Sequence, residues 1–253
     1  MLRKNAIRRF SGLAITFLGI VLLTACSGTL TTRATTGTGQ TSGGGTTSGG
    51  NPPGLQTMLD SFQHPAFTDA TCTIATDTPA QTVSGVAIPA STLSGDCEVT
   101  SNPQRSHTIL HFTTSSGKKH TVEGITDRAT NTAYTKSSID GGSVPATWTK
   151  TTIDETTNAG SSSIMSLTTM KNATFVGADT VNGVAVWHLR GQADLPSASG
   201  LKEQLDYYLR QDNQYPLEIK GIISGSLQST TTLIYTKYNT GINIALPSPD
   251  QVT

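Results

Sequence analysis

Histidine and cysteine are the residues of this chain best suited to metal or redox chemistry, and it has five of the first and three of the second. His107 and His111 share one face of a predicted strand, and His120 falls on what would be the neighbouring strand. A three-histidine metal site is therefore conceivable. Because no carboxylate or cysteine stands at a supporting spacing, we expect these histidines to face solvent. The sequence predicts no metal site and no cofactor.

Catalytic sequence motifs are also missing from the chain. Neither the G-x-S-x-G turn of serine hydrolases nor the H-E-x-x-H pattern of zinc proteases occurs. Asp206, Asp212 and Glu218 are scattered and show no recognisable pairing. These observations favour a binding protein over an enzyme.

Residues 1–25 have the layout of a secretory signal, with four basic residues followed by an apolar run from Phe10 to Leu23. This run is shorter than the roughly 20 apolar residues that a membrane-spanning helix needs. The next residues complete the tetrapeptide LTAC, which resembles the bacterial lipobox, and its last residue is Cys26. The resemblance implies that Cys26 carries diacylglycerol and anchors the protein to the cell membrane, facing the extracytoplasmic side. The alternative is an ordinary signal peptide with a chance cysteine.

If Cys26 is lipidated, two cysteines remain in an oxidising compartment, and they permit only one intramolecular disulfide. The predicted pair is Cys72 and Cys97, and the turn-prone Ser84-Gly85 lies midway between them. This spacing is typical of a long hairpin with cross-strand cysteines. Metal ligation is the weaker alternative, since neither cysteine has a CxxC spacing or a nearby histidine.

Composition divides the rest of the chain into a tether and one domain. Residues 26–54 are dominated by Gly, Ser and Thr and cannot bury enough apolar surface to fold, whereas residues 55–253 suffice for a domain with a core. Removal of residues 1–25 would take four of the 17 Lys and Arg and none of the 17 Asp and Glu, leaving a net charge of −4. A mildly acidic chain without basic runs excludes nucleic acid as the expected partner.

Short alternating runs separated by turn residues predict an α+β domain dominated by a large antiparallel sheet. The run SHTILHFTT places Leu110 and Phe112 on one strand face, and GVAVWHLRGQAD places Trp187 and Leu189 on one face. Two helices are predicted. The first is LQTMLDSFQH, and the second is SSSIMSLTTMKNA, which contains Ile164, Leu167 and Met170.

Several stretches resemble the LppX/LprA/LprF/LprG lipoprotein family, which is related in fold to the carriers LolA and LolB. The first is a helix followed by GADTVNGV and a strand that ends HLRG. The others are DYYLRQDNQYPLEIKGIISG and TTTLIYTKYNTGINIALP, together with the tripeptide WTK. The matching positions are Trp148, Lys150, Leu209, Asp212, Pro216, Tyr235, Tyr238, Ile244 and Pro247.

The resemblance implies a curved antiparallel sheet, an open half-barrel, with two main helices packed on its concave face. It also implies an apolar cavity that binds an acylated lipid or a lipoprotein for carriage or presentation in the cell envelope, with a possible transporter or envelope protein as partner. The residues expected to line the cavity are Leu110, Phe112, Val122, Ile164, Leu167, Met170, Trp187, Leu189, Leu217, Ile219 and Ile223. The alternative is a structural or sensory envelope lipoprotein with a filled core and a protein partner.

Overall fold

The structure is a computed structural model that describes residues 52–63, 66–83, 85–113, 117–139, 147–153, 170–193, 202–225 and 227–253. The predicted signal, Cys26 and most of the predicted tether lie outside these residues. The elements in chain order are α1 (Leu55–Gln63), β1 (Asp69–Thr78), β2 (Gln81–Val83), β3 (Val86–Ile88), β4 (Ser91–Ser101), β5 (Gln104–Thr113), β6 (Lys119–Asp127), β7 (Thr132–Ile139), β8 (Thr149–Thr152), β9 (Lys171–Val181), β10 (Val184–Ala193), β11 (Lys202–Arg210), β12 (Pro216–Ser224), β13 (Ser229–Tyr238) and the 3-10 helix Pro249–Gln251.

Eleven of the strands form one antiparallel sheet in the order β8-β7-β6-β5-β4-β1-β13-β12-β11-β10-β9. Strands β4 to β8 lie side by side in chain order, and so do β9 to β13. Strand β1 joins the two halves, because it pairs with β4 on one side and with β13 on the other. Within the described residues the edge strands β8 and β9 do not pair with each other. The predicted large antiparallel sheet is confirmed, and it is open.

Cys72 and Cys97 form a disulfide, as the sequence predicts. The two residues lie directly opposite each other in the pairing of β1 with β4, with their Cα atoms 4.9 Å apart. Along the chain, the small hairpin of β2 and β3 connects β1 to β4. Gly85 at the turn of this hairpin has a φ of 80°, which glycine adopts without steric cost. The long hairpin expected from the cysteine spacing is therefore confirmed.

The helix prediction is confirmed at the front of the domain and is wrong for residues 171–173 near the middle. In α1, Met58 is fully buried, and Leu55 and Leu59 pack against the same core, which is the amphipathic face that the sequence predicts. Most of the second predicted helix, including Ile164 and Leu167, lies outside the described residues. Its last residues, 171–173, belong to β9 instead, because they pair with β10 along the sheet edge. The expectation of two helices is thus not borne out: α1 is the one α-helix of the described residues.

The two faces of the sheet differ in what covers them. We call the face that carries Cys72, Leu110 and Leu233 the inner face, and it holds the main apolar cluster together with α1. The opposite, outer face carries a smaller cluster under the C-terminal segment 242–252. The residues of this smaller cluster are Ile125, Tyr134, Trp148 and Ile244, with Ile242, Leu246 and Val252 against them. No helix within the described ranges is both long and apolar enough to cross a membrane.

Buried ion pairs and hydrogen bonds hold the C-terminal segment against the sheet. Arg105 on β5 donates from Nη1 to the Ile244 carbonyl oxygen at 2.9 Å and pairs with Asp127 at 3.1 Å. At the turn after β13, the carboxylate of Asp69 accepts from the Thr240 amide at 2.8 Å and from the Gly241 amide at 3.1 Å. Burial alone would raise the pKa of the Asp69 carboxyl, but these bonds outweigh burial and hold the pKa below its usual range.

Candidate ligand-binding face

A continuous row of apolar residues crosses the inner face at right angles to the strands. The row is defined by direct cross-strand pairing from β10 to β6, and its eight members come from eight neighbouring strands. We call it the apolar row, and its members in order are Leu189, Tyr207, Ile219, Leu233, Ile74, Gly95, Leu110 and Val122. Since neighbouring strands lie about 4.8 Å apart, the row extends over about 34 Å.

Most of the predicted cavity-lining residues lie on this face. Leu110, Trp187, Leu189 and Ile219 belong to the main apolar cluster, and Phe112 and Met170 pack against it. Val122 and Leu217 are buried, and Ile223 is half-buried. Ile164 and Leu167 lie outside the described residues. The sequence missed other members of the cluster, notably Ile74, Leu205 and Leu233, although each stands in an alternating strand pattern that signals an inward side chain.

A second row on the same face is polar except for Ile223. It runs from β11 to β4 along the pairs Glu203–Ile223, Ile223–Ser229 and Thr78–Ser91. The Thr78 and Ser229 hydroxyls lie 3.1 Å apart, which connects β1 to β13. We call these five residues the polar row. The inner face therefore changes from apolar to polar along the direction of the strands.

Glu203 is the most unusual residue of the polar row. Its side chain is only 2% exposed, and its Oε2 atom has no hydrogen-bond partner within the described part of the chain. Burial raises the pKa of the Glu203 carboxyl to about 7. No sequence motif points to Glu203. The alternation along β11 does indicate that its side chain faces inward, together with those of Leu205, Tyr207 and Leu209.

Aromatic rings cover the inner face near the end of α1. Phe67 packs edge-on against Tyr215 with ring centroids 5.7 Å apart, and Tyr215 lies 4.9 Å from Tyr238. The Tyr238 hydroxyl donates to the Pro216 carbonyl oxygen, and burial raises the pKa of Tyr238 above its usual range. These rings fill this end of the inner face.

Two cavities in the described part of the chain lie away from the predicted lining. One, of about 230 Å³, is bordered by Asp69, Asn102 and Ile244 beside the C-terminal segment. The other, of about 180 Å³, opens beside Asn172, Arg190 and Gln204. None of the predicted cavity-lining residues borders either of them. On the inner face, the predicted residues instead pack against one another.

The three histidines considered as metal ligands do not share a face. His107 and His111 lie on the outer face, whereas His120 pairs with Phe112 on the inner face and stacks on its ring at 5.0 Å. His107 has carboxylate partners that the sequence analysis did not foresee, since its Nε2 lies 3.0 Å from Glu123 and its Nδ1 lies 3.4 Å from Glu98. Among the described residues, no group of three metal-ligating side chains is arranged to hold a metal ion.

A buried polar cluster on the outer face surrounds Asp206, which the sequence analysis had left unpaired. Asp206 Oδ1 lies 2.7 Å from His188 Nε2 and accepts from Arg190 Nε at 2.7 Å, while Oδ2 accepts from Gln204 at 2.9 Å. Burial alone would raise the pKa of Asp206, but these three donors outweigh it and lower the pKa. A histidine–aspartate pair is part of a catalytic triad, in which the nucleophile bonds to the other ring nitrogen of the histidine. Among the described residues, His188 bonds to Asp206 and stacks on the Tyr208 ring at 4.5 Å, and no hydroxyl or thiol bonds to its other ring nitrogen. The cluster ties β10 to β11.

Solved structures similar to this chain include lipoproteins. LppX from Mycobacterium tuberculosis is 14% identical with a TM-score of 0.45, and the match covers 75% of this chain and 99% of that one. LprF from Mycobacterium bovis is 14% identical with a TM-score of 0.42, covering 77% and 97%. A LolA superfamily protein from Nitrosomonas europaea is 10% identical with a TM-score of 0.31, covering 76% and 94%. No protein-family model and no curated protein matches the chain. The predicted resemblance to LppX, LprF and LolA-like proteins is confirmed.

Proposed function

We propose that this protein is an exported lipoprotein, anchored by Cys26 on the extracytoplasmic side of the cell membrane, whose sheet binds an acylated lipid or lipoprotein. The observation that carries the proposal is the apolar row, which places seven apolar side chains and Gly95 next to one another across eight strands. An acyl chain bound along this row would gain about 25 cal/mol of binding free energy for each Å² of apolar surface removed from water. Binding, and not catalysis, is the proposed activity.

Among the described residues, α1 is the one α-helix on the inner face, and its size supports an additional occupant of that face. A helix of nine residues is about 14 Å long, whereas a sheet of eleven strands is about 50 Å wide. Twisted sheets of this many strands curl, so we propose a half-barrel whose concave side is the inner face. The helix alone is too short to cover that side.

One observation favours the alternative, an envelope lipoprotein with a filled core and a protein partner. Other protein atoms bury Leu110, Leu189 and Ile219 almost completely, and the two cavities described above lie away from the predicted lining residues. In a filled core, these side chains would stabilise the domain by packing, and another surface would bind the partner.

Copurifying lipid separates the two functions. We expect the full chain with Cys26→Ala, purified from a bacterial soluble fraction, to carry a stoichiometric acyl lipid in native mass spectra. Ile223→Trp should lose most of this lipid, because Ile223 lies on the inner face and the larger ring occupies the space of the acyl chain. Ile222→Trp is the matched control, since Ile222 is equally half-buried on the same strand but points to the outer face. A lipid-free wild-type mass that persists when lipids are added would favour the filled core.

The anchor has its own test. We expect Cys26→Ala to release the protein from washed membranes into the soluble fraction, because the acyl chains attached at this thiol provide the stable membrane attachment. Ser27→Ala, which leaves the thiol in place, should remain in the membrane. Fractionation followed by immunoblotting measures both. A Cys26→Ala protein that stays with the membranes would remove Cys26 from this role.

A further inference from the structure

A buried carboxyl without a partner at the polar edge of an apolar face indicates what kind of molecule the face accepts. Glu203 lies four residues before Tyr207 on β11, so the polar row and the apolar row are about 13 Å apart along the strands. An acylated ligand of modest size can contact both rows at once. This inference rests on the proposed function, because it assigns the head-group end of the same site.

Two glycines lie beside the inward residue that follows Glu203 on β11. Leu205, the next inward residue on β11, is flanked by Gly191 on β10 and by Gly221 on β12. The Met170 side chain lies over Gly191, so close that a Cβ added at Gly191 would be 2.6 Å from the Met170 sulfur. Methionine is unbranched and adaptable, and it can therefore move aside for a ligand more easily than a β-branched residue.

Within the described residues, Glu203 is paired with Ala193 on β10 and Ile223 on β12, and the hydroxyls of the inner face begin two strands away on β13. Ser229 and Thr78 form one hydrogen-bonded pair, and Thr231 and Thr76 form another with their hydroxyls 3.0 Å apart. No Lys or Arg occurs among the residues of the polar row. Among the described residues of this row, a phosphate or carboxylate head group would therefore meet an unpaired acid and no cation, which is unfavourable in a buried site.

We propose that Glu203, with the hydroxyls of Ser229 and Thr78 two and three strands further along the polar row, recognises an uncharged, hydroxyl-bearing head group of an acylated ligand. The free Oε2 atom accepts a hydrogen bond from a ligand hydroxyl. That bond satisfies the buried carboxyl, whereas a ligand with an anionic head group is rejected. A carboxyl whose pKa burial has raised to about 7 gains more from such a donor than an exposed one, because water does not compete.

The test compares two probes that differ only in charge at the head group, monododecanoylglycerol and its 3-phosphate. Their affinities are measured by calorimetry on the delipidated full chain carrying Cys26→Ala. The protein with Glu203 intact should bind monododecanoylglycerol at least about tenfold more tightly than its 3-phosphate. This is the difference in affinity expected of one hydrogen bond to a charged group. Glu203→Leu should lose this preference while still binding the acyl chain.

Two further variants keep the test decisive. Glu218→Leu is the control, because Glu218 is half-buried on the outer face of β12 and its removal should leave the preference unchanged. If Glu203→Leu fails to fold, Glu203→Gln replaces it: the amide has no charge to repel phosphate, so the preference should fall there too. If Glu203→Leu keeps the preference for the uncharged probe, or if the wild type shows no such preference, the inference about Glu203 is wrong while the proposed function still stands. If neither probe binds, the proposed function fails with it.

Discussion

Replacing Gly95 by alanine is expected to destabilise the domain by about 3 kcal/mol, near the upper end of the usual cost of overpacking. Gly95 is the one position of the apolar row without a side chain. A Cβ there would overlap the Ile109 carbonyl oxygen and lie 2.9 Å from both the Ile109 carbonyl carbon and the Leu110 Cα. All three atoms are backbone atoms, so no side-chain rotation relieves the clash. Strands β4 and β5 would have to separate.

Urea unfolding followed by circular dichroism measures this effect, and the Cys26→Ala background keeps the protein soluble. Ser94→Ala is the matched control, because Ser94 neighbours Gly95 on β4 but is exposed on the outer face. We expect the control to stay within about 0.5 kcal/mol of the parent. A loss below about 1 kcal/mol in Gly95→Ala would mean that β4 and β5 do not approach as closely as described.

Removing the disulfide is expected to cost about 3 kcal/mol of unfolding free energy. Cys72 and Cys97 close a loop with a sequence separation of 25 residues, and the cross-link restricts the unfolded chain by about that amount in the chain-entropy model. The double variant Cys72→Ala/Cys97→Ala should therefore unfold at lower urea concentration than the parent. The bond also lies at the junction of the two halves of the sheet, because β1 pairs with both β4 and β13.

Reduction of the parent protein provides the second arm of this experiment. Treatment with a thiol reductant should lower the unfolding midpoint of the parent and leave that of the double variant unchanged. The Cys26→Ala background removes the third thiol, so no other cysteine can contribute. If reductant does not shift the parent, the cysteines are not bonded in the folded protein.

Sequence patterns were sufficient for features that depend on local alternation. The run SHTILHFTT placed Leu110 and Phe112 on one face and His107 and His111 on the other, and the pairing of β5 with β4 and β6 confirms this division. Alternation works here because successive strand residues point to opposite faces. The disulfide was equally accessible, since the number of cysteines left one pairing and the turn between them suited a hairpin.

The middle helix shows where local patterns fail. Its apolar spacing extended the prediction to residues that lie in β9, where Lys171 pairs with Gln192 of β10. Backbone hydrogen bonds to a neighbouring strand outweighed the local helical spacing at this point. A single sequence does not show that β10 is the strand that pairs with these residues.

The candidate site itself depends on pairings that no local pattern contains. Alternation indicates that Glu203 and Leu205 share a face, but not that this face is the buried one, nor that Ile223 and Ser229 continue the row. The same is true of Asp206, whose partners His188 and Arg190 come from another strand. The sequence by itself determined the strands and the disulfide, because these follow from short-range spacing and residue counts, and the Cys26 anchor stays a prediction. Only the tertiary structure decided which strands are neighbours and in what register, because a shift of one residue would turn every side chain of a strand to the opposite face.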